Sequence, residues 1–395
     1  MQYRINPKNG DTLSILGYGC MRFSKTGGVI TNQKKTEEEL LYAYENGVNY
    51  FDTAYIYPGS EAALGKFIAK IDRSKIFIAT KLPHSQCRKK EDFEKIFSEQ
   101  LSRLGTDYID YYLIHMLSDT ETFERLNKIG FAKWAAEKKS AGKIRNLGFS
   151  YHGSSSEFKK IIDCFDFDFC QIQFNYMDET TQAGSEGLFY AAEKGLPVII
   201  MEPLRGGKLS RLSGSSAKII ESAEPKRSAS EWALRWIWNY PQVTVVLSGM
   251  NDIEQVKENV RVASEAKENE LSESQLEMFR EIKEEINRET KIQCTGCAYC
   301  MPCPHGVDIP SCFAAYNRCY TDGYLSGFIS YIMTTSLKES KSIASKCVSC
   351  GLCEKKCPQH LLIRENLQEV SSVLEGVMYK TSSFVGNVFL KKRIR

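Results

Sequence analysis

Short apolar runs bounded by turn residues recur at regular intervals through the first two thirds of the chain. They are ILGYG from Ile15, VNYFDTA from Val48, KIFIATKL from Lys75, YIDYYLIH from Tyr108, KIRNLGFS from Lys143, FDFCQIQF from Phe167, LPVIIM from Leu196 and VTVVLSG from Val243. Charged amphipathic segments such as TEEELLYAYENG, EDFEKIFSEQLSRLG and SASEWALRWIWNY separate them. Near-continuous apolar strands alternating with helices are the pattern of parallel strands buried on both faces. Eight such units predict a closed (β/α)8 TIM barrel, whose reactive side chains stand where the strands' C-terminal ends open into loops. A doubly wound open sheet is the alternative, but no Gly-x-Gly-x-x-Gly turn follows an early strand.

The pattern changes after residue 263. Leu276, Phe279, Ile282 and Ile286 repeat at helical spacing behind a Ser272-x-x-Gln275 capping box, which predicts a linking helix within 264–291 packed on the barrel. Residues 292–370 form the next segment, and 371–395 a basic tail ending in Lys391, Lys392, Arg393 and Arg395. Within 292–370, IPSCFAAYNRCY and GYLSGFISYIMTTSLKES read as two helices, so this small domain is mainly helical. Cys312 and Cys319, seven apart, share one helix face and read as core packing.

Cysteine usage marks the same division: four lie before residue 294 and ten between 294 and 357. Eight form two runs, Cys294, Cys297, Cys300, Cys303 before Pro304, and Cys347, Cys350, Cys353, Cys357 before Pro358. The second run has the bacterial ferredoxin form Cys-x2-Cys-x2-Cys-x3-Cys-Pro, and the first is one residue shorter before its last cysteine. In two-cluster ferredoxins the fourth cysteine of each run ligates the other cluster. One 4Fe-4S cube is therefore expected on Cys294, Cys297, Cys300 and Cys357, and a second on Cys347, Cys350, Cys353 and Cys303. Four-thiolate zinc sites compete with this reading, but a zinc ion gains nothing from a third and fourth cysteine so tightly spaced before proline. A disulfide framework belongs to oxidising compartments, and the N-terminus has no charged segment leading into an apolar core, so the expected location is cytoplasmic.

A net charge of +3 over 395 residues gives no reason to expect nucleic acid as a partner, and no stretch approaches a transmembrane helix. Polar residues at the predicted strand ends carry the candidate chemistry. Asp52 and Tyr57 lie in YFDTAYIY, Lys81 ends IFIATK and His115 ends YYLIH. On neighbouring strand ends they can form a proton-donating centre, in which an ammonium favours the phenolate and Asp52 orients Lys81.

These residues, with LGYGCMRF, GVNYFDTAYIYPGSEAALG, KIRNLGFS, QIQFN, EPLRGGKL and LSGMNDIEQVKENV, give residues 1–262 a specific resemblance to the aldo-keto reductases. The paired cysteine runs are similar to the subfamily with a 4Fe-4S domain and extend the likeness to about residue 365. The resemblance implies that Asp52, Tyr57, Lys81 and His115 are catalytic. Tyr57 would protonate a carbonyl oxygen as nicotinamide delivers hydride to its carbon, and His115 would orient that oxygen. The small-molecule substrate would be a carbonyl, or an alcohol in the reverse direction. Ser150 and Gln171 match residues that hold the nicotinamide carboxamide, Met201 stands where many members have an aromatic ring against the nicotinamide, and Tyr151 where many have asparagine. Glu258 and Asn259 match residues that reach adenine. The segment that often presents cations to a 2′-phosphate reads Gly249, Met250 and Gln255 around Asp252, which favours NADH over NADPH. Tyr55, Met116, Tyr151 and His152 are candidate wall residues.

Two further readings use the clusters differently. In one, they pass single electrons between a ferredoxin-like partner and the barrel; a flavin near Arg205, Gly206 and Gly207 would then convert one-electron to two-electron steps. In the other, they serve as folding staples or oxygen sensors.

Overall fold

All eight apolar runs become strands of one closed barrel: β1 (Leu16–Gly19), β2 (Tyr50–Asp52), β3 (Phe77–Leu82), β4 (Ile109–Leu117), β5 (Ile144–Tyr151), β6 (Phe169–Gln173), β7 (Val198–Met201) and β8 (Val243–Ser248). Each strand pairs in parallel with its neighbours in sequence, and β8 returns to β1 through Val246↔Leu16. Closure leaves no barrel strand edge unpaired. These relations come from a computed structural model that describes residues 1–395 except 27–29, 322, 337–340, 377–378 and 380–395. The cations of the basic tail lie outside the described residues.

The barrel interior is filled by side chains from alternating strand positions. Tyr50, Ala79, Tyr111, Leu113, Phe169, Ile199 and Val245 form one buried group with Leu13. The Tyr111 ring stands edge-on to Tyr50 at 5.2 Å and to Phe169 at 4.9 Å, the geometry that aromatic quadrupoles favour. An antiparallel hairpin, Tyr3–Ile5 with Thr12–Ser14, precedes β1. It is tied to this interior because Asn6 Nδ2 donates to the Tyr111 hydroxyl (3.1 Å), which donates to Asp11 (2.8 Å).

The chain divides into two compact units, Met1–Leu204 with Ser230–Leu271, and Arg205–Ala229 with Ser272 onward. The boundary expected at 263 therefore moves to 271, and segment 205–229, expected within the barrel, groups with the second unit. The reason is packing. Helix Gly214–Ser222 in that segment lies against helix Glu273–Glu289, with Leu209 and Ile220 buried. The linking helix has the expected capping box, Ser272 with Gln275, but it is also a member of the second unit rather than of the barrel.

In the second unit, helices Ile309–Thr321, Tyr324–Tyr331 and Ile363–Leu374 enclose a core that includes Phe313, Tyr316, Phe328, Tyr331, Leu367 and Val370. Cys312 is fully buried in that core and Cys319 packs against it, as their helix-face spacing implies. No described helix is long and apolar enough to cross a membrane.

Candidate active site and cluster cavities

At the C-terminal ends of the barrel strands, Asp52 ends β2, Lys81 lies in β3 and His115 in β4. Lys81 Nζ donates to Asp52 Oδ1 at 2.5 Å and to the Thr53 carbonyl at 2.8 Å. Both side chains of this pair are buried. Tyr57 reaches the pair from the turn after β2, which is closed by Tyr57 N–H to Ala54 O and Ser60 N–H to Tyr57 O. Gly59 gives this turn the left-handed residue it needs (φ 74°). Ser60 Oγ meets Thr53 Oγ1 at 2.7 Å and donates to Cys20 O, fixing the turn over β2. The Tyr57 ring then has Lys81 Nζ 5.4 Å from its centre and the His115 ring at 5.8 Å, nearly perpendicular. All four residues singled out in the sequence thus meet in one mouth.

Burial raises the Asp52 carboxyl, while donation from Lys81 and from Gln171 Nε2 (2.9 Å) acts against that rise. Two donors on one carboxylate favour its anion. Burial also pushes the His115 imidazole well below its usual value, and the Lys81 charge adds to the effect. A neutral His115 presents one N–H donor to whatever oxygen enters the mouth.

Three supports were not legible in the sequence. A bulge on β4 sets two residues, His115 and Met116, opposite Ser150 between the paired positions Ile114↔Phe149 and Leu117↔Tyr151. Met116 takes positive φ (59°) there and its N–H donates to Ser150 Oγ (2.8 Å). Such a bulge re-aims a side chain beside a site, and nothing in YYLIHML, apolar but for His115 and the tyrosine hydroxyls, announces it. Behind Lys81, buried Glu61 accepts from Thr80 (2.7 Å), Gln100 (3.0 Å) and Arg103 (3.1 Å), and Gln100 also donates to the Lys81 carbonyl. Arg22 is the third, its side chain lying beside Gly249.

The nucleotide candidates occupy adjacent strand ends. Gln171 on β6 is the register partner of Ser150 on β5, and both side chains are buried. Met201 ends β7, half-buried. Buried polar groups on neighbouring strand ends fit a carboxamide, which needs both donors and acceptors. Gly249 follows β8, Glu258 accepts from Ser230 Oγ at 3.5 Å, and Asn259 donates to Ser248 Oγ at 2.9 Å. Asp252 caps helix Ile253–Glu265 and pairs with Lys35 at 3.4 Å.

Among the candidate wall residues, Tyr151 turns away from the mouth. It is fully buried, packs on Phe158 of helix Ser155–Cys164 at 5.0 Å, and donates to the Ser154 carbonyl at 2.5 Å, with the Ser118 carbonyl 3.2 Å away. Tyr55 likewise donates to Glu99 (2.7 Å) under the Arg103 guanidinium. His152 is buried, with Nδ1 3.1 Å from Gln182 Oε1.

In the second unit the two cysteine runs adopt the same turn. Residues two and four beyond the first cysteine take positive φ in both, Gly296 (71°) and Ala298 (64°), and Ser349 (57°) and Gly351 (74°). The N–H of Gly296 points to Cys294 Sγ and that of Ser349 to Cys347 Sγ, each at 3.4 Å. This backbone curls each run so that its thiols converge. One cavity is bordered by Cys294, Cys297, Cys300 and Cys357. The other is bordered by Cys303, Cys347, Cys350 and Cys353, with Cys300 also on its wall. Burial pushes the Cys300 thiol up to about 12, with Cys294, Cys297 and Cys357 adding to it, so these sulfurs sense one another. Among the described residues no three Cys, His, Asp or Glu side chains are gathered for a single metal ion. Four thiols bordering one cavity fit a cluster that offers a separate iron to each. The Arg205–Ser210 turn, suggested for a flavin phosphate, instead brings Lys208 Nζ to the Cys294 carbonyl as a hydrogen-bond donor.

A closed parallel barrel with an acid, lysine, tyrosine and histidine at its mouth, joined to a unit with two thiol-lined cavities, defines an oxidoreductase fold coupled to a ferredoxin-type domain. The chain belongs to the aldo/keto reductase family: residues 15–284 match the family's model, and residues 293–362 match that of the 4Fe-4S dicluster domain. The "NADH-specific methylglyoxal reductase" of Escherichia coli is 26% identical over 326 residues, covering 70% of this chain and 97% of that protein. The L-galactose dehydrogenase of Arabidopsis thaliana is 26% identical over 302 residues, covering 67% of this chain and 89% of its own length. Among solved structures, the holo form of an aldo-keto reductase from Bacillus halodurans superposes with a TM-score of 0.60 at 25% identity, covering 71% of this chain and 96% of its own. Members of the family act on small-molecule carbonyl compounds, and the dicluster domain implies iron-sulfur clusters.

Proposed function

We propose that this protein reduces a small carbonyl compound, or oxidises the corresponding alcohol, with a nicotinamide nucleotide. The observation that carries the reading is the convergence of Tyr57, Lys81, Asp52 and His115 on one barrel mouth. When bound, the nicotinamide supplies the hydride. The neutral His115 ring donates a hydrogen bond to the substrate oxygen and holds it beside the Tyr57 hydroxyl, which passes its proton to that oxygen. The Lys81 ammonium stabilises the negative charge left on the phenol oxygen, and Asp52 with the Thr53 carbonyl fixes the direction of that ammonium. Ser150, Gln171 and Met201 would hold the nicotinamide end, with Gly249, Glu258 and Asn259 toward the adenosine.

NADH is the nucleotide we favour. Asp252 already caps the N-terminus of helix Ile253–Glu265 and pairs with Lys35, so a 2′-phosphate would have to compete with its carboxylate for both. The name of the Escherichia coli relative agrees with this choice. The test is steady-state reduction of methylglyoxal and simple aldehydes by each nucleotide with iron-replete protein prepared without oxygen. Turnover with NADH supports the reading; no turnover of any carbonyl or alcohol with either nucleotide overturns it, and tighter binding of NADPH overturns the nucleotide preference.

We further infer that Cys294, Cys297, Cys300 and Cys357 hold one 4Fe-4S cluster and Cys303, Cys347, Cys350 and Cys353 a second, and that both exchange single electrons. Two thiol-lined cavities support this, one bordered by Cys294, Cys297, Cys300 and Cys357 and the other by Cys303, Cys347, Cys350 and Cys353 with Cys300 shared. Thiolate-held clusters also suit the reducing cytoplasm expected from the cysteine usage.

A further inference from the structure

The two cluster cavities differ in what surrounds them. The one at Cys294 is walled mainly by apolar residues, Ile309, Phe313 and Leu361 among them; among the described residues no charged side chain is part of that lining, and Lys208 and Arg205 act on Cys294 from outside it. The one at Cys347 opens among Lys356, Arg364, Val348 and Leu352. Its ligand Cys350 is exposed, the one exposed thiol among the eight. Val348 and Leu352, on either side of Cys350, are 57% and 49% exposed. Apolar side chains this bare around an exposed thiol mark a surface built to be covered.

The charge of this surface is biased positive. From Lys346 to Glu365 the chain carries four cations, Lys346, Lys355, Lys356 and Arg364, against two acids, Glu354 and Glu365. Glu354 is engaged by Arg364 Nε at 2.8 Å. Lys355 and Lys356 are both exposed, on the short helical turn Glu354–Lys356 that precedes Cys357. The first cysteine run, Cys294 to Cys303, contains no charged side chain except its own thiols. Lys356 and Arg364 border this cavity, so a molecule approaching Cys350 meets these cations together with the cluster's own charge.

We propose that the face formed by Val348, Cys350, Leu352 and Lys356, with Lys355 on the same short turn, docks a small acidic one-electron carrier protein, which loads the clusters by way of Cys350. The proposal rests on the reading that both clusters are redox-active. Two reduced carriers each give up one electron and are oxidised, and each cluster accepts one electron and is reduced. No bond is made or broken and no proton is required. The apolar residues supply contact area and the lysines steer encounter, which makes the association fast and salt-sensitive.

The experiment is stopped-flow reduction of iron-replete protein by a chemically reduced, acidic bacterial ferredoxin, followed by cluster absorbance and electron paramagnetic resonance. In the Lys355→Glu/Lys356→Glu variant the second-order rate is expected to fall about tenfold or more, and wild-type rates to fall steeply with added salt. Iron content and the electrons accepted from excess dithionite are expected to match wild type, showing that the clusters survive. A carrier rate insensitive to both charge reversal and salt overturns the proposal. So does salt-sensitive self-association of wild type that the variant lacks, which would assign the face to a second copy of the chain. If dithionite reduces the clusters and the ferredoxin does not, this inference fails while the redox reading stands; clusters that dithionite leaves unreduced remove both.

Discussion

Lys208 donates its side-chain N–H to the backbone carbonyl of Cys294, so a cationic side chain is fastened to a residue expected to ligate iron. Arg205, three residues earlier, also acts on the Cys294 sulfur through its charge. Reducing a cluster adds negative charge, which a nearby cation stabilises, and cluster potentials respond to such charges. Lys208→Met is therefore expected to lower the potential of the cluster bound at Cys294 and to leave that of the other nearly unchanged. A redox titration followed by electron paramagnetic resonance checks this, and an unchanged or raised potential contradicts it.

Tyr57→Phe removes the hydroxyl and retains the ring that packs beside His115 and Lys81. Loss of a general acid costs about 10²–10⁴-fold in turnover. A loss of that size in kcat, with nucleotide affinity unchanged by fluorescence titration, is the expected outcome. Lys81→Met should produce a comparable kcat loss, and should also destabilise the fold because it leaves Asp52 buried with one donor fewer.

The pH dependence of stability follows from His115. An unfolded histidine binds a proton near pH about 6.5, whereas buried His115 binds one only at much lower pH. Between those two values the unfolded chain holds more protons than the folded one, so stability falls as pH falls from near 6.5 toward the folded value. His115→Gln removes this contribution and flattens the slope. Urea unfolding of both proteins at about pH 7.5 and about pH 5 tests it, and equal slopes would contradict it.

Crossed ligation makes a prediction in iron counts. Cys297→Ala with Cys357→Ala strikes one cluster twice, and about four of eight irons should remain. Cys297→Ala with Cys303→Ala strikes both clusters, and iron should fall further. If each run instead held its own cluster, the two double variants would exchange results.

Much of this was legible in the chain because it is written in local pattern. The eight apolar runs, each needing burial on both faces, specify eight parallel strands whose only edge-free arrangement is closure. The capping box at Ser272 and the spacing of the two cysteine runs are likewise local. The wall role expected of Tyr151 did not survive, because its side chain packs on Phe158 of the helix layer.

The sequence by itself determined the barrel, the helical unit and the thiol-bearing turns, since periodicity and spacing act between neighbours along the chain. Tertiary structure alone decided that Arg205–Ala229 groups with the cysteine-bearing unit, that a bulge at Met116 adjusts His115, and that Gln171 clasps Asp52. Gln171 and Asp52 are separated by 119 positions. Contacts at such a separation leave no periodic trace in composition or hydropathy; they arise when packing brings distant polar groups into a space without water, where each must find a partner.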